Sequence, residues 1–243
     1  MNTNSFTGRK ALVIGGSGGI GRAVALALAG ENAFVTVHGG SSLERLENTI
    51  NDIKAAGGKA EGFLCSADEK GAAEKILSMS PCADIIVCAW GPFKRSALED
   101  TDAGLWEKMT LCNLAFPGTI VSLAISGMIE RNYGRLLLLG GTNTDTIRGF
   151  NTTTAYSAAK TALGVLAKSA ARIGGQSGVT CNVLCPGLTH TEYLDEEECA
   201  YNRKKSPDGA ALETSEIARI ALAIMKNPGL NGTVIPIDKG IVV

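Results

Sequence analysis

The sequence predicts an α/β fold, a doubly wound parallel sheet with helices on both faces, as a single domain over residues 1–243. Short apolar segments alternate with helix-like segments along the whole chain. Strands that are apolar on both faces are typical of parallel sheets covered on both sides. A glycine-rich turn follows the first of them, and no linker, low-complexity tract or internal repeat divides the chain.

Seven segments are predicted as strands because they are short and rich in apolar or β-branched residues. In chain order they are residues 10–16, 34–39, 59–65, 83–91, 134–141, 178–187 and 232–238. The even spacing of Cys181 and Cys185 places both thiols on one face of the sixth strand.

Apolar residues recur at helical spacing between these strands. This predicts helices over residues 19–30, 42–58, 69–79, 106–114, 117–131, 153–173 and 215–225. The first helix has a face of small apolar residues, and the second ends at Gly57-Gly58, a common helix stop. Residues 192–208 are rich in acids and are predicted to be irregular.

The composition limits the possible function classes. Apolar residues make up 45% and charged residues 19%, with a net charge of −1, so we expect a large core and no nucleic-acid-binding face. No apolar stretch reaches the ~18 residues of a membrane span, and the polar start lacks a secretory signal. Seven cysteines without CxxC spacing are typical of reduced core thiols in a cytoplasmic protein. Because the chain has only two histidines, we do not expect a histidine-based zinc site or a Ser-His-Asp triad.

The first strand leads into a turn with GxxxGxG spacing, formed by Gly15, Gly19 and Gly21. Glycine at these places permits a tight turn, close approach of a pyrophosphate and free N–H groups at a helix N-terminus. Ordinary turns also collect glycine, but the position between a strand and a helix favours dinucleotide binding. The predicted cofactor contacts are Gly15, Ser17, Gly18, Gly19, Ile20 and Gly21.

The end of the second strand indicates which dinucleotide binds. An NAD site usually has Asp or Glu there for the ribose 2′-hydroxyl, whereas this chain has HGGSS at residues 38–42. Nothing in that stretch repels a 2′-phosphate, and Ser41 and Ser42 can donate hydrogen bonds to one. Arg22 and Arg45 are candidate cations. The sequence therefore favours NADP(H) over NAD(H).

Over essentially its whole length the chain resembles the short-chain dehydrogenase/reductase family, with closest likeness to its 3-oxoacyl-(acyl-carrier-protein) reductase branch. Each motif alone is common, but their order and spacing together are specific. The motifs are the GxxxGxG turn, Asn113 in TLCNL, YxxxK from Tyr156 to Lys160, NVLCPGLTHT at 182–191 and GTVIPIDKG at 232–240. The resemblance implies a Rossmann-type sheet of about seven strands.

The resemblance also implies roles for single residues. Tyr156 would give a proton to the carbonyl, with hydride supplied by the nicotinamide. Lys160 would hold the nicotinamide ribose and lower the pKa of Tyr156, and Asn113 would keep a water for proton relay. Residues four apart share a helix face, so an ammonium beside the phenol favours phenolate. The cofactor contacts implied after the sixth strand are Pro186, Gly187, Thr189 and Thr191.

Three stretches depart from the family pattern. CAWG at 88–91 replaces NNAG, Ser66 replaces an aspartate after the third strand, and Ile14 replaces a threonine before the glycine turn. Trp90 is either core packing or a reshaped pocket wall. The residues still expected beside the cofactor here are Ser66, Ala89, Trp90 and Gly91.

The family's catalytic serine is missing. Its conventional place, thirteen residues before Tyr156, holds Asn143, flanked by Thr142 and Thr144. A hydroxyl or an amide can donate a hydrogen bond to the developing oxyanion. Thr142 directly follows the glycine pair at the strand end and is the first candidate, with Asn143 the second.

Together these features predict a cytoplasmic NADP(H)-dependent oxidoreductase for a small-molecule ketone or secondary alcohol, without membrane or nucleic-acid partners. Two alternatives stay open: a cofactor-binding sensor without chemistry, and a structural oligomer that binds no nucleotide. Apolar faces on helices 117–131 and 153–173 favour a homodimer or homotetramer.

Residues 189–210 are the expected substrate loop, either a solvated charged loop or a lid. Its basic residues 203–205 stand beside five acids within 192–198. That mixture favours a small free carbonyl compound over a carrier-bound 3-oxoacyl thioester, which would call for a broader basic face.

Overall fold

A seven-stranded parallel sheet lies at the centre of the computed structural model, which describes residues 6–241. The strands are β1 (Lys10–Ile14), β2 (Phe34–Gly39), β3 (Lys59–Leu64), β4 (Ile85–Cys88), β5 (Gly134–Leu139), β6 (Val179–Pro186), β7 (Thr189–His190), β8 (Leu212–Glu213) and β9 (Val234–Ile237). The sheet order is β3-β2-β1-β4-β5-β6-β9, and β7 pairs with β8 separately. The order reverses between β1 and β4, which opens a crevice at the carboxyl ends of the strands.

Helices cover both faces of this sheet. They are α1 (Gly19–Gly30), α2 (Leu43–Ala55), α3 (Ala72–Ser78), α4 (Ala103–Thr110), α5 (Phe116–Glu130), α6 (Thr154–Gly174), α7 (Glu196–Lys205) and α8 (Thr214–Lys226). Helices α1, α2 and α8 pack on one face and α3, α5 and α6 on the other, so the core has two halves. Alternation along β1 shows the division, since Val13 belongs to the first half and Leu12 to the second. The predicted doubly wound sheet is confirmed.

Helices α4 and α5 form one continuous rod, joined by a π-helical turn at Leu111–Ala115. The sequence predicted two separate helices, over residues 106–114 and 117–131. Pro117 stands at the start of α5, where proline is tolerated. The rod spans Ala103–Glu130 and is long and apolar enough to cross a membrane by length and composition. The prediction that no stretch reaches that length is therefore wrong. One side of α5 is nevertheless buried in the second half of the core.

The acidic segment after β7 is not irregular as predicted, because residues 196–205 form α7. A capping box starts this helix: Asp195 accepts from the Glu198 N–H at 2.8 Å, and the Glu198 carboxylate accepts from the Asp195 N–H at 3.2 Å. Acids fill the first turn and bases the last, an order that complements the helix dipole. The same-face prediction for Cys181 and Cys185 is confirmed, since both lie in the second half of the core.

Candidate active site

The carboxyl ends of β1, β4, β5 and β6 lie side by side at one edge of the sheet. The register pairs Ile14 with Cys88 and Leu139 with Leu184. The segments that leave this edge carry most of the residues singled out from the sequence. They are residues 15–18, 89–97, 140–153 and 187–195.

The glycine turn after β1 is tight and approaches the chain after β4. Gly15 has a φ of +79°, and a Cβ built on it would lie 3.0 Å from both the Cβ and the backbone N of Trp90. A side chain at Gly21 would collide with the Gly15 carbonyl oxygen. Gly18 caps α1 without a side-chain hydrogen bond, so the first backbone N–H groups of the helix receive no acceptor from the cap residue. Ile20 packs against the core and anchors the first turn of α1.

His38 fixes this turn, a role that sequence reasoning missed. The Gly15 N–H donates to His38 Nδ1 at 3.2 Å, and His38 Nε2 lies 2.8 Å from the Cys65 carbonyl oxygen. Complete burial lowers the pKa of His38. This geometry assigns a neutral ring that accepts at Nδ1 and donates at Nε2. A histidine within the apolar strand FVTVHG was the available signal.

A cavity of about 320 Å³ lies beside the turn, between α1 and α2. Its lining residues are Ser17, Arg22, Arg45, Asn48, Asn51, Asp52 and Glu192. Both candidate arginines therefore reach one place, although Arg22 is ion-paired with Asp52. Ser42 is the N-cap of α2 and accepts from the Arg45 N–H at 3.3 Å, whereas Ser41 is exposed.

The departures after β3 and β4 have local explanations. The Ser66 hydroxyl donates to the Asp68 carboxylate and lowers the pKa of Asp68, so an acid stands two residues after the expected place. The Ala89 N–H donates to the Ile14 carbonyl at 2.9 Å and extends the β1–β4 ladder. The Trp90 ring meets Phe116 edge-on at 5.3 Å and packs against the core, which supports packing as its role.

Helix α6 carries Tyr156 and Lys160 one turn apart. Lys160 is buried, and its Nζ donates to the Leu139 carbonyl at 2.7 Å. The Tyr156 ring meets Phe93 edge-on, with centroids 5.0 Å apart. Its hydroxyl lies against Gly141, where an added Cβ would stand 2.7 Å from the Tyr156 Oη.

Burial shifts both groups. It raises the pKa of Tyr156 above its usual value and lowers the pKa of Lys160 to about 8. The direction for Tyr156 is the opposite of the one that the sequence suggested. The reason is geometric: the Lys160 Nζ points at the Leu139 carbonyl and lies 5.8 Å from the Tyr156 ring centre.

Asn113 lies in the π-helical turn and faces the same place. Its Nδ2 donates to the Pro92 carbonyl at 3.0 Å, while its buried Oδ1 has no hydrogen-bond partner among residues 6–241. A Cβ at Gly91 would collide with that Oδ1 and lie 3.4 Å from the Lys160 Nζ. An unpaired buried acceptor beside an ammonium marks a place for a hydroxyl or a water.

The loop after β5 contains the candidates for the residue that replaces the missing serine, and their contacts differ. The Thr142 hydroxyl donates weakly to the Pro186 carbonyl, at 3.3 Å. Asn143 has a left-handed φ of +59°, and its Oδ1 accepts from Arg148 at 3.3 Å. Thr144 is buried and holds the loop, accepting from the Gly141 N–H at 2.9 Å. The position against the Tyr156 hydroxyl is that of Gly141, which the sequence did not single out.

The loop after β6 returns to the glycine turn. A Cβ on Gly187 would lie 2.7 Å from the Asp238 Cα, so Gly187 packs closely after β9. Thr189 belongs to β7, and its hydroxyl donates to the Gly187 carbonyl at 2.9 Å. Thr191 lies near Gly19, with its Cγ2 3.8 Å from a Cβ built there.

Glu192 brings a negative charge to the start of α1. Its Oε1 accepts from the Gly19 N–H at 2.8 Å. A carboxylate held there stands in for a phosphate, because both use the N–H donors and the positive end of the helix dipole. This contact and the unpaired Asn113 Oδ1 are features of the structure that fit a dinucleotide across the crevice.

Comparison with known proteins identifies relatives. The sequence profile of the family described as short chain dehydrogenase matches residues 9–201. The chain is 32% identical over 196 residues to the peroxisomal hydratase-dehydrogenase-epimerase of Neurospora crassa, a match covering 79% of this chain and 21% of that longer protein. It is 28% identical over 221 residues to the 3-oxoacyl-(acyl-carrier-protein) reductase FabG of Escherichia coli K12, covering 88% of each.

Solved structures share the whole fold. The crystal structure of a 3-oxoacyl (acyl-carrier-protein) reductase from Agrobacterium tumefaciens C58 with NADP bound has a TM-score of 0.89 and 28% sequence identity. The similarity covers 98% of this chain and 95% of that one.

Proposed function

The chain belongs to the short chain dehydrogenase family, and on that premise we propose that it is an NADP(H)-preferring oxidoreductase of a small ketone or secondary alcohol, with Tyr156 as acid and base. One observation carries the proposal. Tyr156, Lys160 and Asn113 converge on the sheet edge from which the glycine turn and the start of α1 face the same crevice.

In reduction, Tyr156 would donate its phenolic proton to the carbonyl oxygen. The phenol is protonated near neutrality, the form needed by an acid, although burial raises its pKa and makes it a weaker proton donor than an exposed tyrosine. Bound nicotinamide would supply the hydride. Lys160 would orient the nicotinamide ribose, and the free Asn113 Oδ1 would hold a water that returns the proton.

Thr142 is our first choice for the oxyanion donor, with Asn143 second. The Thr142 hydroxyl directly follows the second glycine pair and has one hydrogen bond, of 3.3 Å, to give up. The Asn143 Oδ1 accepts from Arg148 at the same distance, which fixes the orientation of that amide. Gly141 offers no side chain, and the residues that follow it are therefore our candidates for the donor. A preorganised donor acts by stabilising charge that develops on the carbonyl oxygen.

The cofactor preference rests on the cavity beside the glycine turn. No acid stands at the end of β2, and Arg45 lines the cavity without an ion-pair partner in the described range 6–241. Among the similar proteins, the Agrobacterium tumefaciens reductase was solved with NADP. We expect the proposed contacts at Ser41 and Ser42 to be secondary, since Ser42 already caps α2.

The substrate is proposed to be a free carbonyl compound. Residues 203–205 supply the last turn of α7, where cations stabilise the helix end, so they have a local role. Changing all three to alanine should scarcely alter turnover of a free ketone. Efficient turnover of an acyl-carrier thioester that collapses in the triple variant would reverse the choice.

We further propose a cytoplasmic homodimer or homotetramer, with residues 1–243 acting as one domain and 189–210 as its substrate segment. Helices α5 and α6 expose large apolar side chains, with Leu123 at 49%, Val165 at 70% and Ile173 at 65% exposure. A second copy would bury these faces. All seven cysteines are free, in keeping with reducing surroundings. Sedimentation at micromolar concentration tests the assembly.

The test of the function compares NADPH with NADH in thermal denaturation and then screens carbonyl compounds for turnover. A ligand at about 100 times its Kd stabilises by about 2.7 kcal/mol. We expect the larger shift with NADPH, and turnover with some ketones. Binding without turnover would indicate a sensor, and no shift with either nucleotide a structural protein.

A further inference from the structure

Residues 191–193 lie over the first turn of α1. The Glu192 Oε1 accepts from the Gly19 N–H at 2.8 Å, across 173 residues of sequence. The Tyr193 hydroxyl sits so close to Gly18 that a Cβ there would collide with it. The Tyr193 ring covers Gly19, with its Cε2 3.2 Å from a Cβ built on that residue. The segment thus covers the turn expected to receive phosphate.

Helix α1 has no anionic cap of its own. Gly18 supplies no side chain, and the first turn contains no acid. The missing acceptor comes from Glu192 instead. Because the same N–H cannot bind this carboxylate and a cofactor phosphate in one place, the two anions exclude each other.

Arg45 holds the covering segment on its outer side. Its Cζ lies 5.4 Å from the centre of the Tyr193 ring, within the range of a cation–π contact. Arg45 and Glu192 also line the same cavity. The other cation there, Arg22, is paired with Asp52, so Arg45 is the cation left for a 2′-phosphate.

We propose that Glu192 is an internal competitor for the cofactor's pyrophosphate, and that Arg45 has two roles. Arg45 holds Tyr193 while Glu192 caps α1, and it binds the 2′-phosphate once the segment has withdrawn. The inference rests on the proposed dinucleotide function. Cofactor affinity is then reduced by the fraction of molecules in which Glu192 covers the turn.

The first experiment measures the Kd of NADPH and of NADH for the wild type and for Glu192→Gln. The variant keeps the shape of the side chain but removes its charge, and charge-assisted hydrogen bonds are about twice as strong as neutral ones. We expect both cofactors to bind more tightly, by a factor of roughly three to ten. Both should gain because both contain the pyrophosphate that competes with Glu192, and NADPH should gain at least as much as NADH because Glu192 also lines the cavity beside Arg45.

Glu197→Gln is the matched control. Glu197 lies in the same segment, in the exposed first turn of α7, and its loss changes the net charge equally. We expect its Kd values to equal those of the wild type. Equal tightening in both variants would reduce the effect to net charge and overturn the proposal.

The second experiment uses Arg45→Gln, for which the two cofactors should respond in opposite directions. NADH should bind more tightly, because Tyr193 is released, and NADPH should bind more weakly, because its 2′-phosphate loses a cation. Weaker binding of NADH would overturn the role of Arg45 in holding the segment.

The outcomes separate this inference from the function on which it rests. If the wild type binds cofactor and Glu192→Gln gains nothing, only the inference fails. If neither protein binds NADPH or NADH, the proposed function fails as well. Melting temperatures measured without nucleotide establish whether each variant is folded.

Discussion

Two short stretches at the same edge of the sheet have nearly the same sequence, GGS at 15–17 after β1 and GGT at 140–142 after β5, yet they need glycine for different reasons. Gly15 has a left-handed φ of +79°, so the backbone itself demands glycine. Gly141 has no such φ, but a Cβ there would lie 2.7 Å from the Tyr156 Oη. Glycine is required at Gly15 by the backbone conformation and at Gly141 by the neighbouring Tyr156 hydroxyl.

A buried base fixes each stretch. His38 accepts the Gly15 N–H, whereas Lys160 donates to the carbonyl of Leu139, just before the second glycine pair. Burial lowers the pKa of both groups. Both turns are therefore held by buried side chains. Substitutions in the first turn should affect cofactor binding, and substitutions in or against the second turn should affect turnover.

The largest effect is expected from Tyr156→Phe. The variant removes the proton donor and keeps the ring contact with Phe93. Turnover should fall by at least roughly a thousandfold, while the cofactor Kd stays within about twofold of the wild type. Steady-state kinetics and nucleotide titration provide the two readouts. Full activity in this variant would exclude Tyr156 as the acid.

Thr142→Val tests the hydroxyl that follows the second glycine pair. Loss of an oxyanion donor should lower kcat by roughly ten- to a thousandfold with little change in cofactor affinity. Ser17→Ala, at the matching place after the first pair, should affect cofactor binding and leave kcat nearly unchanged. Normal kcat in Thr142→Val would move the role to Asn143.

Gly15→Ala tests the first turn. The added methyl forces a strained φ and contacts Trp90, so the turn must open. Cofactor Kd should rise by about thirtyfold, a loss that follows from the close approach of pyrophosphate to this backbone. Calorimetric titration measures it. Unchanged affinity would show that the turn does not bind the cofactor.

Gly141→Ala should have the opposite effects: it should impair turnover and leave cofactor affinity unchanged. The methyl displaces the Tyr156 hydroxyl, which should lower kcat by about tenfold and spare cofactor affinity. In a Tyr156→Phe background its cost in stability should shrink, because the nearest contact has been removed. An additive double-mutant cycle by chemical denaturation would contradict this contact.

The smallest effect concerns pH. The pKa of Lys160 is lowered from 10.5 to about 8, so protonation of Lys160 shifts the folding equilibrium towards the unfolded chain. The free energy of unfolding should rise by about 1–3 kcal/mol as the pH increases from about 8 to 9.5. Lys160→Met should lose this rise, and Lys168→Met, at an exposed site on α6, should keep it.

Burial also lowers the pKa of His38 from 6.5, so the unfolded chain takes up a proton more readily than the folded protein. The free energy of unfolding should therefore fall as the pH decreases below 6.5.

The sequence predicted the sheet and the glycine turn because their signals are local. Counting back from Tyr156 led to Asn143, whereas the structure puts Gly141 against its hydroxyl, since loop length is not fixed by any local rule. The D-x-x-E pattern at 195–198 is a capping-box signal for the start of α7. Counting the charges of this segment without their spacing led to the prediction of an irregular loop. The contact between Glu192 and Gly19 joins distant parts of the chain and has no sequence signal.

The π-helical turn at Leu111–Ala115 has a consequence for how this rod tolerates length changes. Such a turn contains one residue more than a regular helical turn and is wound less tightly, so deleting a single residue there would restore an α-helix with little rotation of α4 relative to α5. The side chains within the turn, including that of Asn113, would then change direction, while α4 and α5 could both keep their packing. The extra residue thus sets the direction of the Asn113 amide without displacing the helices on either side.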